Sequence, residues 1–141
     1  MVNLNDRCAI INALLKDKEF DLSHQELKSI FFNAASNLKI QERELALLLT
    51  FKADINAVNN NMTVLYKLCS DSTRYTSNPH ARYGNNIPPL NDYVRRIQFL
   101  LRNGARPDIE FNGKTIADLN LPKDVENISQ IRKFIRQKRK R

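Results

Sequence analysis

Apolar positions along the chain recur at helical rather than strand spacing. Ile10, Ile11, Leu14 and Leu15 fall at i, i+1, i+4 and i+5, one stripe of an amphipathic helix. Ser23-His24-Gln25-Glu26 has the composition of a capping box, and the helix it predicts continues through Leu27, Ile30, Phe31, Ala34 and Ala35. A further helix is expected from Gln41 to Phe51 around Leu45, Leu48 and Leu49, and a short one from Thr63 around Leu65, Leu68 and Cys69. Tyr93 to Arg102 carries Val94, Ile97, Leu100 and Leu101, and Thr115-x-x-Asp118 opens another short helix. Val125, Ile128, Ile131, Phe134 and Ile135 then form a stripe, which predicts one closing helix over 122–135 with Pro122 at its start. The expected fold class is all-α: short and longer helices in alternation, polar hairpins between them, and no strand. A single helix pair cannot bury its apolar face alone, so the pairs are expected to stack.

The chain also repeats itself. Leu48-Leu49-Thr50-Phe51-Lys52-Ala53-Asp54-Ile55-Asn56 aligns with Leu100-Leu101-Arg102-Asn103-Gly104-Ala105-Arg106-Pro107-Asp108, and the register holds to Thr63 and Thr115 at a constant offset of 52. Asn56 falls on Asp108 and Asn61 on Gly113. A weaker copy lies upstream at an offset of 33, where Leu14-Leu15 falls on Leu47-Leu48 and Asp21-Leu22-Ser23 on Asp54-Ile55-Asn56. Between the two offsets there are 19 additional residues, which lie within 70–91. That stretch, Ser70-Asp71-Ser72-Thr73-Arg74-Tyr75-Thr76-Ser77-Asn78-Pro79 and on through Gly84, Asn85-Asn86 and Pro88-Pro89, has loop composition. A connection this long in a compact domain is either functional or disordered, and this one is expected to be less ordered than its surroundings.

These features resemble the ankyrin repeat, whose period is about 33 residues. The resemblance rests on Met62-Thr63-Val64-Leu65-Tyr66 and Asn112-Gly113-Lys114-Thr115-Ile116-Ala117-Asp118-Leu119 for the start of a repeat, and on Phe99-Leu100-Leu101-Arg102-Asn103-Gly104-Ala105 for the end of its second helix. It covers most of the chain. The Pro and His of the family's T-P-L-H are missing from both copies, and Lys52 stands where a glycine is usual. If that position is left-handed, the substitution costs on the order of 1 kcal/mol. The resemblance implies an ankyrin-like helical repeat solenoid of about three helix-hairpin units, with Gly104 left-handed at the end of its helix. It also implies that Asp54, Asn56 and Asp108 hydrogen-bond the tight turns between repeats, a role that suits short polar side chains. Small divergent ankyrin proteins also resemble effectors and regulators of intracellular bacteria and viruses, and the many Asn, Lys and Ile residues suit an AT-rich genome.

Composition and charge narrow the functional classes. At 141 residues the chain is expected to form one domain over 1–141, and 42% hydrophobic content suits a folded one. The net charge is +8, of which residues 132–141 carry seven positive charges and no negative one, so the remaining body is nearly neutral. Cys8 and Cys69 lie in apolar runs and are expected to be buried free thiols in a reducing compartment. No stretch approaches the roughly 18 apolar residues of a membrane span, and the first residues lack a basic segment before an apolar core. A cytoplasmic location is therefore expected, or a nuclear one if the basic tail is an import signal.

Nothing in the sequence assembles a catalytic or metal site. His24 and His80 are the only histidines, without a His-x-x-x-His or Cys-x-x-Cys spacing, and three glycines at 84, 104 and 113 cannot form a phosphate loop. Thr63 and Thr115 read as helix N-caps. No enzyme activity, metal, cofactor or small-molecule substrate is expected. What the ankyrin resemblance implies instead is recognition of a partner protein through the hairpin tips and a concave helix face. By position the tips are 57–61 and 109–112, which makes Asn59, Asn60, Asn61 and Phe111 candidate contacts, with Tyr66 and Lys67 on the adjoining helix. The insertion adds Arg74, Tyr75, Arg82 and Tyr83, residue types that anchor interfaces. The tail, with Arg136, Lys138, Arg139, Lys140 and Arg141, has three readings. It can complement a helix C-terminus, act as a nuclear-import or nucleic-acid patch, or bind acidic lipid headgroups. An enzyme fragment that uses this region for targeting is a third class.

Overall fold

The computed structural model describes residues 24–50, 53–84 and 86–139, with side-chain surroundings from residue 30 onward. The expected stripe at Ile10–Leu15, the Ser23 cap, Cys8, Lys52, Lys140 and Arg141 lie outside the described residues. Within them the fold is all-α. Six α-helices follow one another: α1 (His24–Ser36), α2 (Glu42–Thr50), α3 (Val64–Ser72), α4 (Leu90–Arg102), α5 (Lys123–Glu126) and α6 (Ser129–Arg139). Two single turns of 3-10 helix, Thr73–Tyr75 and Ile116–Asp118, complete the set. The described residues contain no strand, only two isolated bridges, Asn59 with Met62 and Phe111 with Lys114.

Helix α3 is central: it packs against α1, α4 and the Ile116–Asp118 turn. Its position follows from composition, since Val64, Leu65, Leu68 and Cys69 are all buried and cover more than one side. The flanking α4 has one apolar face, with Tyr93, Ile97, Leu100 and Leu101 buried and Arg95, Gln98 and Arg102 exposed. Asp92 in its first turn and Arg102 in its last complement the helix dipole. Phe31, Phe32 and Ala35 of α1 and Leu45 and Leu48 of α2 extend the same core on one side, and Val125, Ile131 and Ile135 close it on the other.

The offset of 52 is visible in the backbone. The Ala53 N–H donates to Leu48 O at 3.2 Å, and the Ala105 N–H donates to Leu100 O at 2.9 Å, the second across the left-handed Gly104. Gly104 has φ +100°, as the resemblance implied. Both hairpin tips are two-residue turns with positive φ at the two central positions, Asn60 and Asn61 at 55° and 68° and Asn112 and Gly113 at 51° and 79°. Asn is among the few non-glycine residues that tolerate this region. The Thr63 hydroxyl accepts from the Tyr66 N–H, and the Thr115 hydroxyl accepts from the Ala117 N–H inside a capping box with Asp118. Both threonines are therefore N-caps.

Two expectations need correction. The closing helix is not continuous: it breaks at Asn127-Ile128 into α5 and α6, and α5 closes when the Asn127 N–H bonds Lys123 O. The break turns Ile128 into the core beside Val125 and Ile131. The insertion is also shorter and better anchored than expected. Ser70–Ser72 belong to α3, Leu90 and Asn91 belong to α4, and the buried residues Ser72, Tyr75 and Leu90 pin its two ends.

Candidate binding surface

The first tip faces outward. Asn60 and Asn61 are exposed, Asn59 is half-buried because its N–H and C=O both bond Met62, and Val58 beside them is 48% exposed. The tip is held from behind. Asn56 N–H donates to Asp54 Oδ1 at 2.9 Å, Asn56 Nδ2 donates to Gly104 O at 3.1 Å, and the Arg106 N–H donates to Asn56 Oδ1 at 2.8 Å. One asparagine thus links the two hairpins, in the role the resemblance gave it. Asp108 instead takes a two-pronged ion pair from Arg106, at 2.8 and 3.1 Å, whose hydrogen bond holds its carboxyl below the usual range.

The second tip divides differently. Phe111 is half-buried, its ring 5.1 Å from that of Tyr66, which is only 7% exposed. Tyr66 and Phe111 therefore join the second tip to α3, and Tyr66 is corrected from a partner contact to an interior one. Asn112, Gly113 and Lys114 remain exposed.

In the insertion the four expected residues separate. Tyr75 is 1% exposed, donates its hydroxyl hydrogen bond to Pro88 O, and lies edge-on to Tyr83 at 5.2 Å and 6.1 Å from Tyr93. It too is corrected: it anchors the insertion rather than facing outward. Burial pushes the Tyr75 and Tyr93 phenols up from their ordinary value, against the opposing pull of Arg74. Arg74 and Arg82 are exposed, and Tyr83 is 46% exposed although its hydroxyl bonds Arg74 O at 2.6 Å. Val58 and Tyr83 are the large apolar side chains left exposed among the described residues, one before α3 in the chain and one after it.

The basic end also separates. Lys138 donates to Thr115 Oγ1 at 2.9 Å, lies 4.0 Å from Asp118 and 5.9 Å from the centre of the Phe134 ring, so it fastens α6 to the preceding cap. Placing it in a free tail needs correction. It follows Phe134 and Ile135 by four and three residues, which puts it on the inward side of the helix. Arg136 and Arg139 are exposed.

Two buried charges were not singled out in the sequence. Glu44 in α2 and Arg96 in α4 are related by the offset of 52, and they are 0% and 4% exposed. Arg96 Nη1 donates to Ala35 O at 2.6 Å and Nη2 donates to Ile40 O, with longer contacts to Ala34 O at 3.5 Å and Asn37 O at 3.4 Å. The guanidinium thus caps the carbonyl end of α1. Desolvation pulls its pKa down, while Glu42, Asp92 and Glu44 hold it up. Among the described residues the Glu44 carboxylate has no hydrogen-bond partner. The sequence signal was available, because both residues interrupt apolar stripes at the same register.

Chemistry by Cys69 is disfavoured on physical grounds: the residue is fully buried and its thiol is pushed up to about 12 by desolvation, so no thiolate is present at neutral pH. Among the described residues no group of three or more His, Cys, Asp or Glu could hold a metal ion. No helix among them is long and apolar enough to cross a membrane. Comparison with protein-family models, curated proteins and solved structures finds no match to this chain.

Proposed function

We propose that this chain is a protein-recognition module, an ankyrin-like stack of about three units that binds a partner protein through its first hairpin tip and the outer part of its insertion. The observation that carries the reading is the coincidence of apolar exposure with these two regions. Val58 lies beside the first tip and Tyr83 on the insertion, each about half exposed, while the other large apolar side chains among the described residues are covered. Exposed apolar groups rimmed by polar ones mark interaction sites. Here the rim is Asn60 and Asn61 at one end, and Arg74 and Arg82 at the other.

The interlocked geometry supports it as well. The Asn56 bridge and the paired two-residue turns preorganise the tip, so ordering it on binding costs little. An effector or regulator role is compatible with a module of this kind, and the partner is to be identified by capture rather than by side-chain chemistry.

A photo-crosslinking residue placed at Val58, at Tyr83 and, as control, at the exposed Gln98 of α4 tests the proposal in the native cell. The expected result is one shared adduct from positions 58 and 83 that is absent at 98. Identical adducts from all three positions, or none at 58 and 83, would overturn it.

A further inference from the structure

We infer that the outer face of α6 is a docking surface for the phosphate backbone of a duplex nucleic acid, bound without sequence selection. The inference is independent of the tip and insertion. Arg132, Arg136 and Arg139 are all exposed, and at 3.6 residues per turn they lie within about 60° of one another along about 10 Å of helix. Lys133 is exposed on the adjoining row. Among the described residues none of these four cations makes an ion pair or a side-chain hydrogen bond, in contrast to Lys138. From residue 127 to the last residue given the sequence contains no acid, and Lys140 and Arg141 add two further positive charges. Arg132, Lys133, Arg136 and Gln137 line an open groove of about 510 Å³ with Asn127 and Ser129. No acid lines it, and Glu126 lines the neighbouring groove that runs past Arg136 to Arg139.

Four unpaired cations of one sign along a rod need a polyanion, and details of the surface select among polyanions. Three of the four are arginines, whose planar fork bonds phosphate oxygens two at a time, and the interleaved amides are donors of the kind that position a protein on a phosphate backbone. The apolar side of α6 is turned inward, with Ile131 and Ile135 buried, so the helix has nothing to insert into a bilayer. The one aromatic ring of α6, Phe134, is half-buried beneath Lys138, so there is no stacking platform for single-stranded bases. A duplex, read by its backbone, is the occupant this chemistry fits.

The test uses the full chain, a random 20-base-pair duplex, a matched single strand, and vesicles of neutral lipid with and without phosphatidylserine. Duplex binding followed by fluorescence anisotropy should weaken on the order of a hundredfold between 50 and 200 mM salt, as expected for about four neutralised phosphates. The variant R132Q/K133Q/R136Q/R139Q should retain its melting temperature and lose at least tenfold in affinity, with a flatter salt dependence. A variant with the same charge removed elsewhere, K39Q/R95Q/R102Q/K114Q, should bind nearly as the parent does. The proposal fails if the duplex does not bind at 50 mM salt, or if both quadruple variants lose affinity equally. It also fails if acidic vesicles or the single strand bind well and the duplex does not.

Discussion

Residues 44–66 and 96–118 have matching register, matching tips and matching caps, yet they build different structures. After Thr63 the chain forms the nine-residue α3, and after Thr115 only one 3-10 turn. The cause lies in the residues beyond each cap. Val64-Leu65-Tyr66-Lys67-Leu68-Cys69 continues without a breaker, whereas the counterpart turn becomes extended at Leu119 and meets Pro122, which could not sit inside a helix as long as α3. The cap starts a helix, but the next two turns decide whether it continues. The same pair of segments differs at its other end, where Arg96 caps α1 and its counterpart Glu44 is buried with no hydrogen-bond partner among the described residues. Equivalent positions can thus stabilise and destabilise the same core.

The largest expected contrast is between those two charges. Arg96→Ala removes the donors that satisfy Ala35 O and Ile40 O and leaves Glu44 buried without its nearby cation, so it should cost about 3–5 kcal/mol in urea unfolding. Glu44→Gln, which keeps the shape and removes the buried charge, should be neutral or stabilising. If Glu44→Gln costs as much as Arg96→Ala, the carboxylate has a partner and the contrast is lost.

The next effect concerns Cys69, on the helix that has no full counterpart after Thr115. In a Cys8→Ser background a thiol reagent at pH 8 should modify Cys69 no faster than the protein unfolds. The folded pKa, about 12, is raised above the ordinary thiol value of 9.0, so the protonated thiol's contribution is intact below pH 9. It is lost progressively as pH rises from 9 toward 12, and a Cys69→Ala chain should lack that component of the alkaline decline. Fast labelling of the folded protein at pH 8 would show α3 to be open.

Smaller changes separate the turns. In Gly104→Val the added Cβ meets no neighbouring atom within 4 Å but the residue must adopt φ +100°, so the cost should be chiefly backbone strain of about 1–2 kcal/mol. A neutral melting midpoint would remove the left-handed helix end. Thr63→Ala and Thr115→Ala should each cost about 1 kcal/mol as lost caps, with Thr115→Ala the greater because it also releases Lys138. The smallest effect is expected from Lys138→Ala, under about 1 kcal/mol for a half-exposed contact measured by thermal melting.

Short-range pattern is enough for the local vocabulary of this chain. Apolar spacing locates α1, α2, α3 and α4 to within a few residues, the Asn-Asn and Asn-Gly pairs specify two-residue turns, and the threonines specify caps, because each of these depends on neighbours only a few positions away. Long-range packing decides what covers particular side chains. Tyr66 and Tyr75 have the character of surface anchors and are interior, because Phe111 covers one and the returning chain at Pro88 satisfies the hydroxyl of the other. Lys138 reads as part of a free tail and is fastened to Thr115. The partnership of Arg96 with carbonyls about 60 positions earlier is likewise invisible to any local pattern. The partners of Tyr66, Tyr75 and Arg96 are residues distant in sequence, and spacing along the chain does not identify them.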